Sequence, residues 1–282
     1  MVELSVIRGV GLALLAFAAE YVDSSLGMGY GTTLTPLLLI MGFEPLQIVP
    51  AVLLSELFTG LLAGFTHHTM GNVDFVPRTI RITSVFKRLK EYGMGEGLKR
   101  GFAKLPIHMK ITLVIALCSV VGTVSSVFLA VNLPKFYVKL YIGVLVLVVG
   151  IVILATMKIN LRFSWARIVA LGVLASFNKG ISGGGYGPVV TGGQLLAGVQ
   201  GKNAIGITSL AEGLTCIVGV LMYLAAGRML DWRLAPYLCV GAILSVPLSG
   251  ITVKAIDGTR LRIIIGIVTS VLGAYTLWRA LC

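Results

Sequence analysis

Charge is the scarcest commodity in this chain. Only 12% of its 282 residues are Asp, Glu, Lys or Arg, while 57% are hydrophobic; a soluble domain carries about 25% charged residues. A soluble fold has no way to bury that much apolar surface. Acidic residues are the rarer sign, 11 against 23 Lys and Arg, for a formal charge of +12. A basic balance of this size suits nucleic acid, but there is no soluble basic domain to bind it. Nine of the Lys and Arg residues lie between Arg78 and Lys110, the mark of a loop held on the cytoplasmic side of a membrane. Cysteine is sparse too. Cys118, Cys216, Cys239 and Cys282 have no metal-ligand spacing, and three of them sit inside apolar stretches, so they read as packing residues. The three histidines, His67, His68 and His108, border apolar segments and read as headgroup-level residues. No Ser-His-Asp order, metal-ligand pair or cofactor fingerprint is present, so the expectation is a protein that is not an enzyme and has neither cofactor nor metal.

The apolar residues arrive in blocks. Ile111 to Val131, Val138 to Met157 and Ile263 to Trp278 approach the roughly 20 residues of a spanning helix. The expected fold class is an all-α, polytopic integral membrane protein. Gly9 to Ala19 has the look of a signal peptide, with Ala16 to Ala19 resembling a cleavage site, but an internal repeat argues against cleavage.

Gly27, Gly29, Tyr30 and Gly31 superpose on Gly183, Gly185, Tyr186 and Gly187, each pair 156 residues apart (186 − 30). Without a gap the same offset pairs Ala19 with Ala175, Thr35 with Thr191, Gly42 with Gly198, Glu56 with Glu212 and Thr59 with Thr215. Chance glycines would not bring an intramembrane glutamate with them, and internal symmetry of this kind is typical of secondary transporters. Later, Ser126 pairs with Ser245 at an offset of 119, so the first half carries 37 extra residues (156 − 119). They correspond to the basic loop, residues 74–110. Within it Ile82, Val85, Phe86 and Leu89 recur at helical spacing among basic residues, suiting an amphipathic surface helix or, equally, a solvated connector. The expected division is a first membrane repeat over 1–157 and a second over 158–282.

Each half resolves into five apolar pieces, the first being Leu4 to Tyr21, Tyr30 to Met41, Ile48 to Thr66, Ile111 to Val131 and Val138 to Met157. The first two pieces are too short singly and too long together for one span, with a glycine-rich break between them. A re-entrant hairpin leaves three spans per half and inverted repeats; one broken spanning helix leaves four and parallel repeats. Lys135 and Lys139 on one connector oppose Lys158, Arg162 and Arg167 on the next, so positive charge does not choose between them. The short stretch from Trp165 to Phe177 favours the inverted arrangement.

Chemistry concentrates at the breaks, Asp23 to Thr32 and Lys179 to Pro188. Broken backbone at membrane depth exposes N–H groups, tolerated only where protein or a wet cavity satisfies them. Glycine lets such a backbone turn and lets a ligand approach. Half-helix N-termini carry partial positive charge, so two facing starts make an anion site. The candidate substrate-binding residues are Asp23, Ser24, Ser25, Gly27, Met28, Gly29, Tyr30 and Thr32 from the first break, and Lys179, Ser182, Gly183, Gly184, Gly185 and Tyr186 from the second. The competing reading is close helix packing through small residues, which needs no neighbouring charge. A nucleotide loop is excluded, since neither break has the Lys-Ser/Thr ending. Glu56 and Glu212 lie in otherwise apolar helices and are candidates for coupling or for anchoring the site. The tyrosines either donate to ligand or brace the turns. The predicted ligand is a small oxyanion.

At these residues the sequence resembles the sulfite exporter TauE/SafE family of membrane transporters, most clearly over Ala19 to Gly60 and Ser176 to Gly213, with Lys179 to Pro188 the most specific stretch. The resemblance implies movement of sulfite, or of a related small sulfur-containing anion such as a sulfonate, across the bacterial inner membrane by a multi-pass protein. An anion channel, or an importer of sulfonate or thiosulfate, is the alternative. The implied partners are the substrate and the lipid bilayer, with a homo-oligomer left open.

Overall fold

The structure, a computed structural model, describes residues 6–76, 102–156, 164–196, 199, 201–253 and 258–281. Most of the basic loop, including the proposed surface helix at Ile82 to Leu89, lies outside the described residues, as does Cys282. Among the described residues there are ten longer helices, five on each side of residue 160: α1 (Val6–Leu26), α2 (Tyr30–Ile40), α3 (Pro45–Thr69), α4 (Ile107–Asn132), α5 (Lys135–Ala155), α6 (Trp165–Ser182), α7 (Tyr186–Leu196), α8 (Gly201–Ala225), α9 (Ala235–Thr252) and α10 (Gly258–Leu281). Helices α3, α4, α8, α9 and residues 135–152 of α5 are long and apolar enough to cross a bilayer. At a rise of about 1.5 Å per residue a helix the length of α3 reaches roughly 37 Å. Their outward faces carry large exposed apolar side chains such as Phe65, Leu117, Phe128, Leu221 and Ile251, as expected where the solvent is lipid.

Local signals set the boundaries. Glu44 and Gln47 form a reciprocal capping box at the start of α3, with Pro45 in the first turn. Gly183 ends α6 in a left-handed conformation, φ 72°, which a side chain would resist. Helix α6 runs on through Lys179 to Ser182, past the apolar stretch that ends at Phe177. A lysine inside it is tolerated because α3 and α8 bring carboxylates to it.

Close glycine approaches fix the directions of packing. Along α3 the residues Leu53, Gly60, Gly64 and His67 meet Gly219, Gly213, Leu210 and Gly206 of α8, so these equivalent helices run antiparallel. Helices α5 and α10 do the same, Gly143 meeting Leu277, Leu147 meeting Gly273 and Gly150 meeting Ser270. By contrast α1 runs parallel to α9 (Gly9 with Tyr237, Ala13 with Gly241), and α4 runs parallel to α6 (Ile115 with Gly172, Ser126 with Gly180). Exchanging the two halves maps the α1 and α9 pair onto α6 and α4.

The apolar clusters show how the short helices enter. One gathers Leu12 of α1, Leu34 and Leu38 of α2, Ile48 of α3 and Leu234 and Leu238 around the start of α9. The start of α1, the end of α2 and the start of α3 therefore share one end of the bundle, and α1–α2 is a re-entrant hairpin. A second cluster gathers Ile168 of α6, Tyr186 and Val190 of α7, Ile207 of α8, Ile111 of α4 and Val73 beyond the end of α3. That is the opposite end, since α3 and α8 are antiparallel. Two hairpins thus enter from opposite ends and meet inside.

Candidate functional site

The hairpin tips touch through backbone. Gly27, Gly29, Gly183 and Gly185 have φ of 69°, 137°, 72° and 75°, and between them the chain turns without Cβ atoms in the way. A Cβ on Gly31 would run into the carbonyl of Gly183, and one on Gly187 into the carbonyl of Gly27. Those two contacts are related by the 156-residue offset (187 − 31 and 183 − 27).

Lys179 sits in the last turn of α6 and is fully buried. Its ammonium lies 2.6 Å from Glu212 Oε1 and pairs directly with Glu56 Oε2. The two glutamates, on antiparallel helices, are brought to one point by the α3–α8 crossing, where a Cβ on Gly60 would lie 2.7 Å from the Gly213 nitrogen. Glycine there lets the helix axes close until both carboxylates reach one cation. A charge so buried is costly unless paired, which is why the three residues come together.

Asp23, the repeat partner of Lys179, lies at the other tip. Its Oδ1 accepts the Tyr30 N–H at 3.1 Å, so a carboxylate of the chain already occupies the positive end of α2. Both tips share one helix-ending bond, the Gly27 N–H to the Asp23 carbonyl at 2.6 Å and the Gly183 N–H to the Lys179 carbonyl at 2.8 Å, but at the second tip the Gly184 N–H also donates to Ser182 Oγ at 3.1 Å. Of the hydroxyls expected to face a ligand, Ser24 donates to Glu20 Oε1 at 2.6 Å, Thr32 to the Gly29 carbonyl at 3.2 Å, and Ser182 to the Asn178 carbonyl at 2.6 Å. Ser25 is buried with no partner for its hydroxyl among the described residues. Met28 packs in an apolar cluster with Leu26, Val22 and Leu145. Tyr30 and Tyr186 are fully buried, their hydroxyls paired with Ser55 at 2.8 Å and Thr215 at 3.3 Å. Each tyrosine ties the second arm of its hairpin to the helix that follows.

Sequence reasoning missed several members. Glu20 is 2% exposed and one of its oxygens has no hydrogen-bond partner among the described residues; it lies within electrostatic reach of Asp23, Glu56 and Glu212. Its repeat partner is Ser176, so the repeat hid it, although a carboxylate in an apolar helix was signal enough. His67, read as a headgroup residue, is buried instead, with Nε2 3.0 Å from the Ser24 carbonyl and Nδ1 3.1 Å from Asn72. In the other half Tyr223 donates to the Gly180 carbonyl at 2.8 Å. Those pairs also obey the offset (223 − 67 and 180 − 24), and each satisfies a carbonyl in the last turn of a hairpin's first arm. Thr191 Oγ1 reaches the Gly27 carbonyl at 2.7 Å and the Thr208 hydroxyl at 2.8 Å, and Gln194 donates to Thr208 at 3.0 Å. Among the described residues no group of three His, Cys, Asp or Glu is arranged to hold a metal.

A buried cation between two helix-borne carboxylates, with broken helices meeting inside an apolar bundle, defines a polytopic membrane protein of the transporter class. The chain matches the sequence profile of the sulfite exporter TauE/SafE family over residues 12–85 and 97–278 and belongs to that family. It is similar to the probable membrane transporter protein YtnM of Bacillus subtilis (strain 168), at 25% identity over 267 residues, covering 90% of this chain and 77% of the relative. No solved structure matches it.

Proposed function

We propose that this protein exports sulfite or a closely related small sulfur oxyanion across the bacterial inner membrane. The observation that carries the reading is Lys179, a fully buried ammonium one turn before the second glycine break and held by Glu56 and Glu212. An arriving oxyanion competes with those carboxylates for the same ammonium, beside the backbone N–H groups of the break. Sulfur chemistry and outward direction come from the family; a buried cation beside irregular backbone supports an anion of any such kind. Glu56 and Glu212 anchor the cation while the site is empty, and their release gives a route to coupling. The two repeats, 1–157 and 158–282, act as oppositely oriented halves around this point, with the loop 74–110 in the cytoplasm.

The test is flux in proteoliposomes. Sulfite, sulfate, thiosulfate and a sulfonate are compared under imposed proton gradients, for the parent protein and Lys179→Ala. Saturable sulfite flux lost in folded Lys179→Ala supports the reading. Full flux by that variant at low substrate moves the site elsewhere, and flux that never saturates makes the protein a channel.

A further inference from the structure

Thr35 and Thr191 are repeat partners, and their surroundings have diverged. Thr191 belongs to a chain of polar side chains, with Gln194 and Thr208, that ends on the Gly27 carbonyl. In the first half the positions matching Gln194 and Thr208 are Leu38 and Val52. Thr35 is 1% exposed and its hydroxyl has no partner among the described residues. It faces the other tip: a Cβ built on Gly183 would meet Thr35 Oγ1 at 3.2 Å and Val52 Cγ1 at 3.3 Å as its nearest neighbours. A buried hydroxyl left unpaired is destabilising, and the sequence has twice placed an apolar side chain where the other half holds a partner for it.

The two tips are correspondingly unequal. At the first, Asp23 accepts the Tyr30 N–H and Thr191 binds the Gly27 carbonyl, so its exposed backbone is already engaged by the chain. At the second, Lys179 stands where Asp23 stands at the first, so among the described residues no carboxylate caps the start of α7; the Gly184 N–H is held by Ser182 Oγ, and Thr35 points an idle donor at the turn.

We propose that the oxyanion binds asymmetrically, at the second break alone, and that the Thr35 hydroxyl donates a hydrogen bond to it across the interface between the halves. The first break is then a brace that positions the second. This rests on the transport reading above and assigns Thr35 as a substrate-contacting residue that helps set affinity.

The experiment measures half-saturating sulfite concentration in proteoliposomes for the parent chain, Thr35→Val, Thr35→Ser, Val52→Thr and Thr191→Val, beside the melting temperature of each in detergent. Loss of a hydrogen bond to a charged ligand predicts a rise of about tenfold or more for Thr35→Val. Thr35→Ser keeps the donor and stays within about threefold of the parent, less than the roughly 1.4 kcal/mol that a tenfold change represents. Val52→Thr retains Thr35 but supplies the missing partner, so it too raises the half-saturating concentration. Thr191→Val lowers the melting temperature and raises the half-saturating concentration by less than Thr35→Val does. An unchanged value for Thr35→Val, or an equal rise for Thr191→Val, overturns the assignment. If Thr35→Val does not fold, an unchanged value for Val52→Thr overturns it instead. A parent protein that carries no oxyanion at all sinks the transport reading, a separate outcome.

Discussion

At the scale of single residues, the tips depend on missing atoms. Gly31 lies so close to Gly183 that any side chain would displace the opposite hairpin, and overpacking of this kind costs about 1–3 kcal/mol or more. Gly31→Ala should lower the melting temperature in detergent, whereas Gly71→Ala, in open space at φ 74°, should show only backbone strain. Tyr30→Phe should also destabilise, by about 1–3 kcal/mol, because Ser55 loses its partner in a fully buried position; a melting temperature equal to the parent's would contradict this. The glycines, the tyrosines and the two glutamates were legible because they recur at one offset. Glu20, His67 and Thr191 were not. Glu20 and His67 have Ser176 and Tyr223 as partners, so a search for identities passes over them, while Thr191 matches Thr35 in type and only the side chains around the pair have diverged.

At the scale of elements, the helices were readable as five apolar pieces per half, but the geometry of the first two was not. Whether α1 and α2 cross together or fold back depends on which ends share a cluster. Leu12, Leu38 and Ile48 answer that only once packed. Length misled at α6, where an apolar count stops at Phe177 while the helix continues through a lysine that distant carboxylates neutralise. The α3–α8 crossing is the element on which the site hangs. Gly60→Leu should force the helices apart and draw Glu56 and Glu212 away from Lys179. Transport is expected to fall at least tenfold in protein that still reaches the membrane, and retention of full flux would show that the crossing does not hold the ion pairs.

At the scale of the molecule, the fold resolves what charge counting along the sequence left open. By sequence, the segments joining helices at the end where α3 finishes and α8 starts, together with the first turns of the helices beside them, hold 16 of the 23 Lys and Arg residues, namely the nine from Arg78 to Lys110 with Lys158, Arg162, Arg167, Lys202, Lys254, Arg260 and Arg262. The remaining seven are Lys179 in the site and Arg8, Lys135, Lys139, Arg228, Arg233 and Arg279 toward the other end, where Lys135 and Lys139 are partly offset by Glu44, at 3.7 and 3.6 Å. The positive-inside rule predicts that the first of these ends faces the cytoplasm. Single cysteines at Met41 and Lys202, in an otherwise cysteine-free chain, should therefore label from the periplasm and the cytoplasm respectively. Labelling of both from one side would refute oppositely oriented halves.

The ion triad around Lys179 also dictates an order of birth. When residues 1–160 have left the ribosome, Glu56 is in place without the ammonium that pairs with it, and an ionised side chain at the centre of a span costs about 2.5–3.5 kcal/mol. Lys179 arrives with α6, and Glu212 joins it later with α8. The first half alone is therefore expected to be less stable than in the whole chain, since a charge encoded downstream completes its pairing. Expressed alone, residues 1–160 should be cleared by membrane proteases, and co-expression of residues 158–282 should restore them. Pulse-chase lifetimes would register the difference.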